Sequence, residues 1–580
     1  MVVLPTSLWN FTKKIVPNVR ASNNFGDAVS ISGDYLAVGN RLNDTDENNG
    51  NPLTYAGAAY IYFYNGIRWT QMQKIVPSNR AIFDQFGCSV DISGNYIVIG
   101  AEGKSAAYVF ENIAGVWTET QILVPSDVAS GDNFGHAVAI DETNIIVGAY
   151  QEDEDAFGGG TLNSAGSAYI FSLVSGTWSQ AAKLVASDRG ADDQFGFSVD
   201  IEGDYAIVGA PLEDHNATGT ATLSNAGSAY TFGFNTGSWQ QQAKLVASDR
   251  STISEYGFAV SIGGSKALVG AYHEDLDASG ANFQSNAGAV YVNYRFGTST
   301  WFEIQKIVAS DRSNTSNFGA SIDIDGSKVI IGASDEKFGN GGSLVNLAGS
   351  AYIFEEAPST FWTEVQKVAA QGREVGDSFG VGVAMSDSNI VVGARYHKLD
   401  SNNLNSFSNA GAVYFFRPPP LPNQNIGGVI NDYAAVPSLN VCNQEMTLDD
   451  ATDFEIDDTV MIIQMKGATM NLSNTAGFGD LVSLNNAGNY EYNVIASKSG
   501  NIISFQNAWQ HDYDVTGKVQ IVSIPHYTGD IDVTGTLTAD QWDGNKGGIL
   551  IFNVAGQLNL KANIDVSGKG FRGGFNDQSL

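Results

Sequence analysis

Apolar and polar positions alternate along most of this chain with the period of a β-strand rather than of a helix. The clearest stretch, Phe195 to Pro211, reads FGFSVDIEGDYAIVGAP. Val199 and Ile201 alternate with Ser198 and Asp200, a turn at Gly203-Asp204 follows, and a second strand runs from Tyr205 to Ala210. After a polar loop comes a third strand, AGSAYTF at 226–232. A turn with Gly237 then leads to a fourth strand, which begins near Trp239 and ends in KLVAS. Related units open at Phe25, Phe86, Phe134, Tyr256, Phe318 and Phe379, so successive openings lie 61, 48, 61, 61, 62 and 61 residues apart. Four short strands per unit at a nearly fixed period predict the blades of a β-propeller.

The two ends of this region predict how it closes. A tryptophan opens the fourth strand at Trp69, Trp117, Trp178, Trp239, Trp301 and Trp362, but the seventh unit stops at its third strand, AGAVYFF (410–416). The missing strand matches WNFTKKIV, Trp9 to Val16, ahead of the first unit. The expectation is a seven-bladed ring closed by the N-terminal strand, which hides the sheet edges an open ring would expose.

The paired Phe195-Gly196 and Gly209-Ala210-Pro211 carry a family resemblance. The units resemble the FG-GAP repeats of the integrin α-subunit propeller, in a variant common in bacterial surface and secreted proteins. Other units keep Gly-Ala and vary the third residue, and unit one has Gly39-Asn40. The resemblance covers residues 6–417 and implies the propeller fold. It also implies a calcium loop between the first two strands. Here that position is a tight turn such as Ser32-Gly33-Asp34, with too few oxygens for a six- to eight-ligand cage, so that site is not carried over.

A different acidic pattern recurs after the Gly-Ala end: Asp44/Asp46, Asp153/Asp155, Asp214/Asn216 and Asp275/Asp277. Units six and seven place Lys337 and Lys398/Asp400 there, and unit two lacks the loop. Alternating oxygens suit Ca²⁺, and the same spacing suits a solvated loop closed by Asx-turns. Strand order puts these loops and the strand 4-to-1 connections on one face of the disc. The connections repeat Ser-Asp-Arg at 187–189, 248–250 and 310–312, with Ser78-Asn79-Arg80 as a variant. Each Arg is expected to pair with an acid of a neighbouring blade and tie the ring together. The short second unit leaves a notch in this crown.

Prolines 418, 419, 420 and 422 read as a semi-rigid linker, dividing a propeller over 1–417 from a second all-β module over 425–580. In that module short strands between Gly and Asn turns fit a β-sandwich or the first coils of a β-helix. The segment Asp458 to Gly574, with MIIQMKGA, GNYEYNVI and IDVSGKGFRGG, resembles a module of large secreted proteins of gliding, type-IX-secreting bacteria. The resemblance implies a link to secretion machinery, and the chain reads as the front part of a longer protein.

Composition narrows function mainly by exclusion. A net charge of −32 argues against a nucleic-acid partner, which needs clustered Lys and Arg. No stretch is apolar and long enough for a membrane-spanning segment. The N-terminus lacks a signal peptide, so a secreted or cell-surface location would require one removed from this sequence. Cys88 and Cys442 read as free thiols. His136, His215, His273, His397, His511 and His526 fall into no catalytic spacing. Most aromatics sit on repeating strand positions, which marks them as packing between blades. The expected function is binding or adhesion to a protein or polysaccharide, without enzymatic activity. A carbohydrate-active enzyme with chemistry in the C-terminal or a missing region, and a structural spacer, are the alternatives.

Overall fold

In the computed structural model the chain forms two compact units, residues 1–419 and 420–580. The structure describes residues 9–570 apart from 18–23, 65–68, 128, 130, 340–341, 358–360, 387–388, 400–408, 418–423, 455, 457, 472, 474–480, 528–529 and 555–556. The prolines of the linker and Asp400 therefore lie outside the described residues.

The first unit is a ring of seven four-stranded antiparallel sheets. In blade four the strands Ser198–Glu202, Tyr205–Ala210, Ser228–Asn235 and Ser238–Leu245 follow one another outward from the axis. The seventh sheet takes its outermost strand from the other end of the chain: Asn10–Ile15 pairs antiparallel with Ala412–Arg417, Asn10 opposite Arg417 and Ile15 opposite Val413.

Each hydrophobic core lies between two blades. In one, Ile146, Ile170 and Leu184 of blade three meet Phe195, Val208 and Tyr230 of blade four. The opening aromatics are fully buried, and Phe195 packs edge-on against Tyr230 at 5.4 Å. The glycines explain why FG and GA recur together. Gly209 on the second strand lies against the carbonyl of Gly257, the opening glycine of the next blade. A Cβ on Gly209 would fall 2.0 Å from that oxygen. The last such contact, Gly393 on Gly26, joins blade seven to blade one.

On the outer strands a glutamine reaches across each of several blade boundaries. Gln73 exchanges hydrogen bonds with the backbone N–H and C=O of Trp117, Gln121 does so with Trp178, and Gln305 with Trp362. Gln366 makes the same pair of bonds to Trp9, 357 residues away in sequence. The N-terminal strand is thus held like any other outer strand.

The second unit is also all-β. A seven-stranded sheet is built mainly from antiparallel strands including Thr459–Gln464, Tyr490–Ser499 and Val519–Ser523. Beside it runs a parallel ladder, in which Ile531 pairs with Leu558, Val533 with Leu560 and Leu537 with Ile564. The expectation of a second all-β module thus holds, with an antiparallel sheet and a parallel ladder in one unit.

Removing residues 1–16 opens the seventh blade and exposes the core around Trp9, which is 4% exposed. Loss of a buried Trp alone costs about 3–5 kcal/mol. The truncated chain is expected to melt more than ten degrees below the intact one by calorimetry; an equal melting temperature would refute the closure.

Candidate functional site

Three settings on the propeller carry chemistry: the loop crown, the axial channel and the mouth where the channel meets the crown.

In the crown the paired acids act first on their own backbone. Asp44 Oδ1 accepts from Tyr55 N–H, Asp153 from Ser164, Asp214 from Asn225 and Asp275 from Asn286, each at 2.7 Å. Two residues on, Asp46 accepts from the N–H groups of Asn48 and Gly50, Asp155 from Phe157 and Gly159, and Asp277 from Ser279 and Ala281. Side-chain hydrogen bonds from the Ser279 hydroxyl and the Asn282 amide, with the backbone bonds behind them, hold the Asp277 carboxyl below its usual range. Among the described residues no three His, Cys, Asp or Glu side chains converge as a metal cage would need.

The Ser-Asp-Arg connections hold adjacent blades in two directions. Arg189 donates to the carbonyls of Asp153 and Gly160, in the loop of the blade it leaves. Arg250 and Arg312 reach Asp214 and Asp275 in the same way, and Arg80 reaches Asp44. The expected partner, an acid of a neighbouring blade, is thus replaced by loop carbonyls of the preceding blade. The acid that does bridge is the adjacent aspartate. Asp188 meets Lys244 at 2.7 Å and the Tyr230 hydroxyl at 2.9 Å, both in the blade it enters.

That lysine belongs to a buried network the sequence reading missed. Lys244 also pairs with Glu213 at 2.8 Å, a carboxylate with no exposure, and lies over the Tyr230 ring. Lys183, Lys306 and Lys367 repeat the arrangement with Glu152, Glu274 and Glu336. Paired charges and hydrogen bonds make this burial tolerable. Blade one has Asn43 in place of the Glu; burial, with Arg80 nearby, pulls its Lys74 ammonium down to about 8. The lysine within KLVAS and the glutamate three residues past Gly-Ala were visible as repeats. Their pairing was not, because they lie about 31 residues apart in sequence.

The channel is a cavity of about 310 Å³ lined by the inner strands of all seven blades. Five residues past each opening aromatic it carries Ser30, Asp91, Asp200, Ser261 and Asp323, with alanine in blades three and seven. These side chains satisfy inner-strand N–H groups of the next blade: Asp91 accepts from Ile140, Asp200 from Ile262 and Asp323 from Met385. Burial raises all three carboxyls, Asp91 to about 6, Asp200 to about 7 and Asp323 well up, and their mutual repulsion adds to the rise at Asp200 and Asp323.

At the mouth of the channel on the loop face the blades cease to be alike. The second residue after each opening aromatic and the first after each Gly-Ala end form a lopsided annulus. Blades three to five contribute rings. Phe197 lies 4.9 Å from His136, 5.5 Å from Tyr150 and 5.0 Å from Phe258, and Phe258 lies 3.9 Å from Tyr272. Blades seven, one and two contribute charge. Asp27 pairs with Arg41 and Arg395, each at 3.0 Å, and Arg41 reaches Glu102 at 3.3 Å. Blade six places only Ala320 and Ser334 there. The annulus side chains are partly exposed, except Pro211 of blade four and Ser334, which are buried.

The histidines disperse. His136 pairs with Glu102 at 2.7 Å, His215 with Glu213 and His273 with Glu255. His397 is wholly buried between Asp377 and Lys14. His511 and His526 lie in the second unit. Cys88 and Cys442 are free thiols.

A seven-bladed ring with FG and GA glycines in contact at each boundary defines a propeller of the integrin-like kind. The FG-GAP repeat family matches residues 9–62, 69–110, 117–171, 178–232, 239–293, 301–354 and 362–416, and the chain belongs to it. No curated protein matches the chain. Among solved structures it is similar to a protein from Lactobacillus plantarum, with 14% identity over 62% of this chain and 86% of that one and a TM-score of 0.39. It is also similar to a putative 6-phosphogluconolactonase from Bacteroides uniformis, with 11% identity over 63% and 89% and a TM-score of 0.40.

A carboxyl whose folded pKa is raised stabilises the fold below its unfolded value, and that stability is lost as pH rises through the folded value. For Asp91 and Asp200 the loss runs from about pH 4 to about 6 and 7. The propeller is expected to melt higher at pH 5.5 than at pH 8, with a smaller difference in Asp200→Asn/Asp323→Asn. A melting temperature that climbs with pH over this interval contradicts the assignment.

Proposed function

We propose that the propeller is a binding module of a secreted or cell-surface protein, engaging a protein or polysaccharide through its loop face. The observation that carries this is the annulus. Residues needed to build a blade recur from blade to blade, as the buried aromatics and the Lys–Glu pairs do. The mouth residues differ in kind from one blade to the next, so ring construction does not account for them. Variable side chains on a rigid scaffold are where partners are held. The family places a propeller here without assigning a reaction, and the charged groups at the mouth are engaged with one another rather than set as an acid–base pair.

Calcium in the acidic loops is a separate part of the proposal, supported by the alternation of oxygens at Asp44, Asp46, Asp153, Asp155, Asp214, Asp275 and Asp277. The ion would need further backbone carbonyls, and those of Asp44, Asp153, Asp214 and Asp275 already accept from arginines.

Two measurements test these readings. Beads coated with the intact chain should adhere to polysaccharide- or protein-coated surfaces, and Phe258→Ser/Arg395→Ser should lower retention at least tenfold with the melting temperature within a few degrees. Undiminished retention would move the binding surface elsewhere. For calcium, a melting temperature several degrees higher in millimolar Ca²⁺ than in chelator is expected, with the rise absent in Asp153→Asn/Asp155→Asn. Identical melts would leave these carboxylates as turn caps.

A further inference from the structure

We propose that the channel mouth takes a neutral saccharide, its pyranose faces laid on Tyr150, Phe197 and Phe258 and its hydroxyls met by Asp27, Arg41, Glu102 and Arg395. This rests on the binding reading above and narrows it to one class of ligand.

The rings supply the first argument. Aromatics that build the blades are fully buried, as Phe195 and Tyr230 are. The four at the mouth keep accessible surface and belong to three adjacent blades. Interplanar angles of 71° and 44° along Tyr150–Phe197–Phe258 make the arc stepped rather than flat, and Tyr272 supports its end, packed between Phe258 at 3.9 Å and His273 at 3.8 Å. A stepped apolar arc fits successive sugar rings, each with its C–H face on an aromatic ring, better than it fits one flat plate.

Charge supplies the second. Both arginines are matched by Asp27 and Glu102 within 3.0–3.3 Å, so the charged arc presents donors and acceptors side by side with no cationic surplus. Glu255 and Asp335 add acid close by, and the chain as a whole carries −32. A polyanion is repelled by that field. A hydroxyl group, which both donates and accepts, matches paired guanidinium and carboxylate groups on both counts.

The discriminating experiment is calorimetric titration of the whole chain with neutral oligosaccharides of glucan, mannan, galactan and xylan, and with neutral and basic peptides as controls. At least one oligosaccharide should bind with a dissociation constant between about 10 μM and 1 mM. Its affinity should hold between 50 mM and 500 mM NaCl, as expected for an uncharged ligand. Phe258→Ala and Tyr272→Ala should each weaken it tenfold or more without altering the melting temperature, and Phe258→Tyr should restore it. A blank saccharide panel, or binding indifferent to these replacements, overturns the proposal. If surface retention still depends on the mouth in that case, the binding reading stands and the ligand is a peptide. If retention is also indifferent to the mouth, both fall.

Discussion

The ring depends on backbone meeting backbone at each blade boundary. A second-strand glycine sits on the carbonyl of the next blade's opening glycine at a distance that excludes even a methyl group. Blades can approach this closely only if both residues lack a side chain there. The approach lets the opening aromatic of one blade sink between two sheets and sets the rotation from each blade to the next. Because the relation is the same at every boundary, Gly393 meets Gly26 and the ring closes at seven.

Around that constraint the repeated polar residues serve assembly. The Asp and Arg of one connection face opposite ways, one into the blade ahead and one into the loop behind. In blades three to six the buried Lys–Glu pair fixes the start of the long loop, since Glu213 also accepts from the N–H of His215 and its counterparts do likewise. Serines and aspartates of the inner strands occupy N–H groups that have no further strand to pair with. Much of the acid that recurs from blade to blade is thus internal wiring, and the side chains that differ between blades gather at one end of the axis.

This division also explains how far the sequence could be read. Strand period, turn glycines and the displaced Trp9 strand were legible because each is a local signal repeated seven times. The pairing of Lys244 with Glu213 and the circle of Asp91, Asp200 and Asp323 were not, since they join residues brought together only by the blade's path and the ring's curvature. The annulus escaped for the opposite reason. Its aromatics stand next to repeating signals in the sequence, Phe197 two residues past the opening Phe195 and Tyr272 directly after Gly270-Ala271, and burial is what sets them apart. The arginines were assigned the wrong partner, because carbonyl oxygens leave no trace in composition, and they hold each connection to the blade it leaves.

The N-terminal strand has a consequence for the order in which the molecule is made. Asn10–Ile15 is synthesised before every other strand of the propeller, yet its partner ends at Arg417. For a flexible chain, joining ends about 400 residues apart would cost about 5 kcal/mol in loop entropy. Once six blades have stacked, the two ends already stand side by side, and closure becomes the docking of one strand into a prepared slot. Until then the propeller carries an unpaired strand ahead of its first blade and an incomplete sheet in its seventh, each a template for the other or for a neighbouring copy. The last blade to form is therefore the step at which a correctly closed ring and an intermolecular exchange of strands compete.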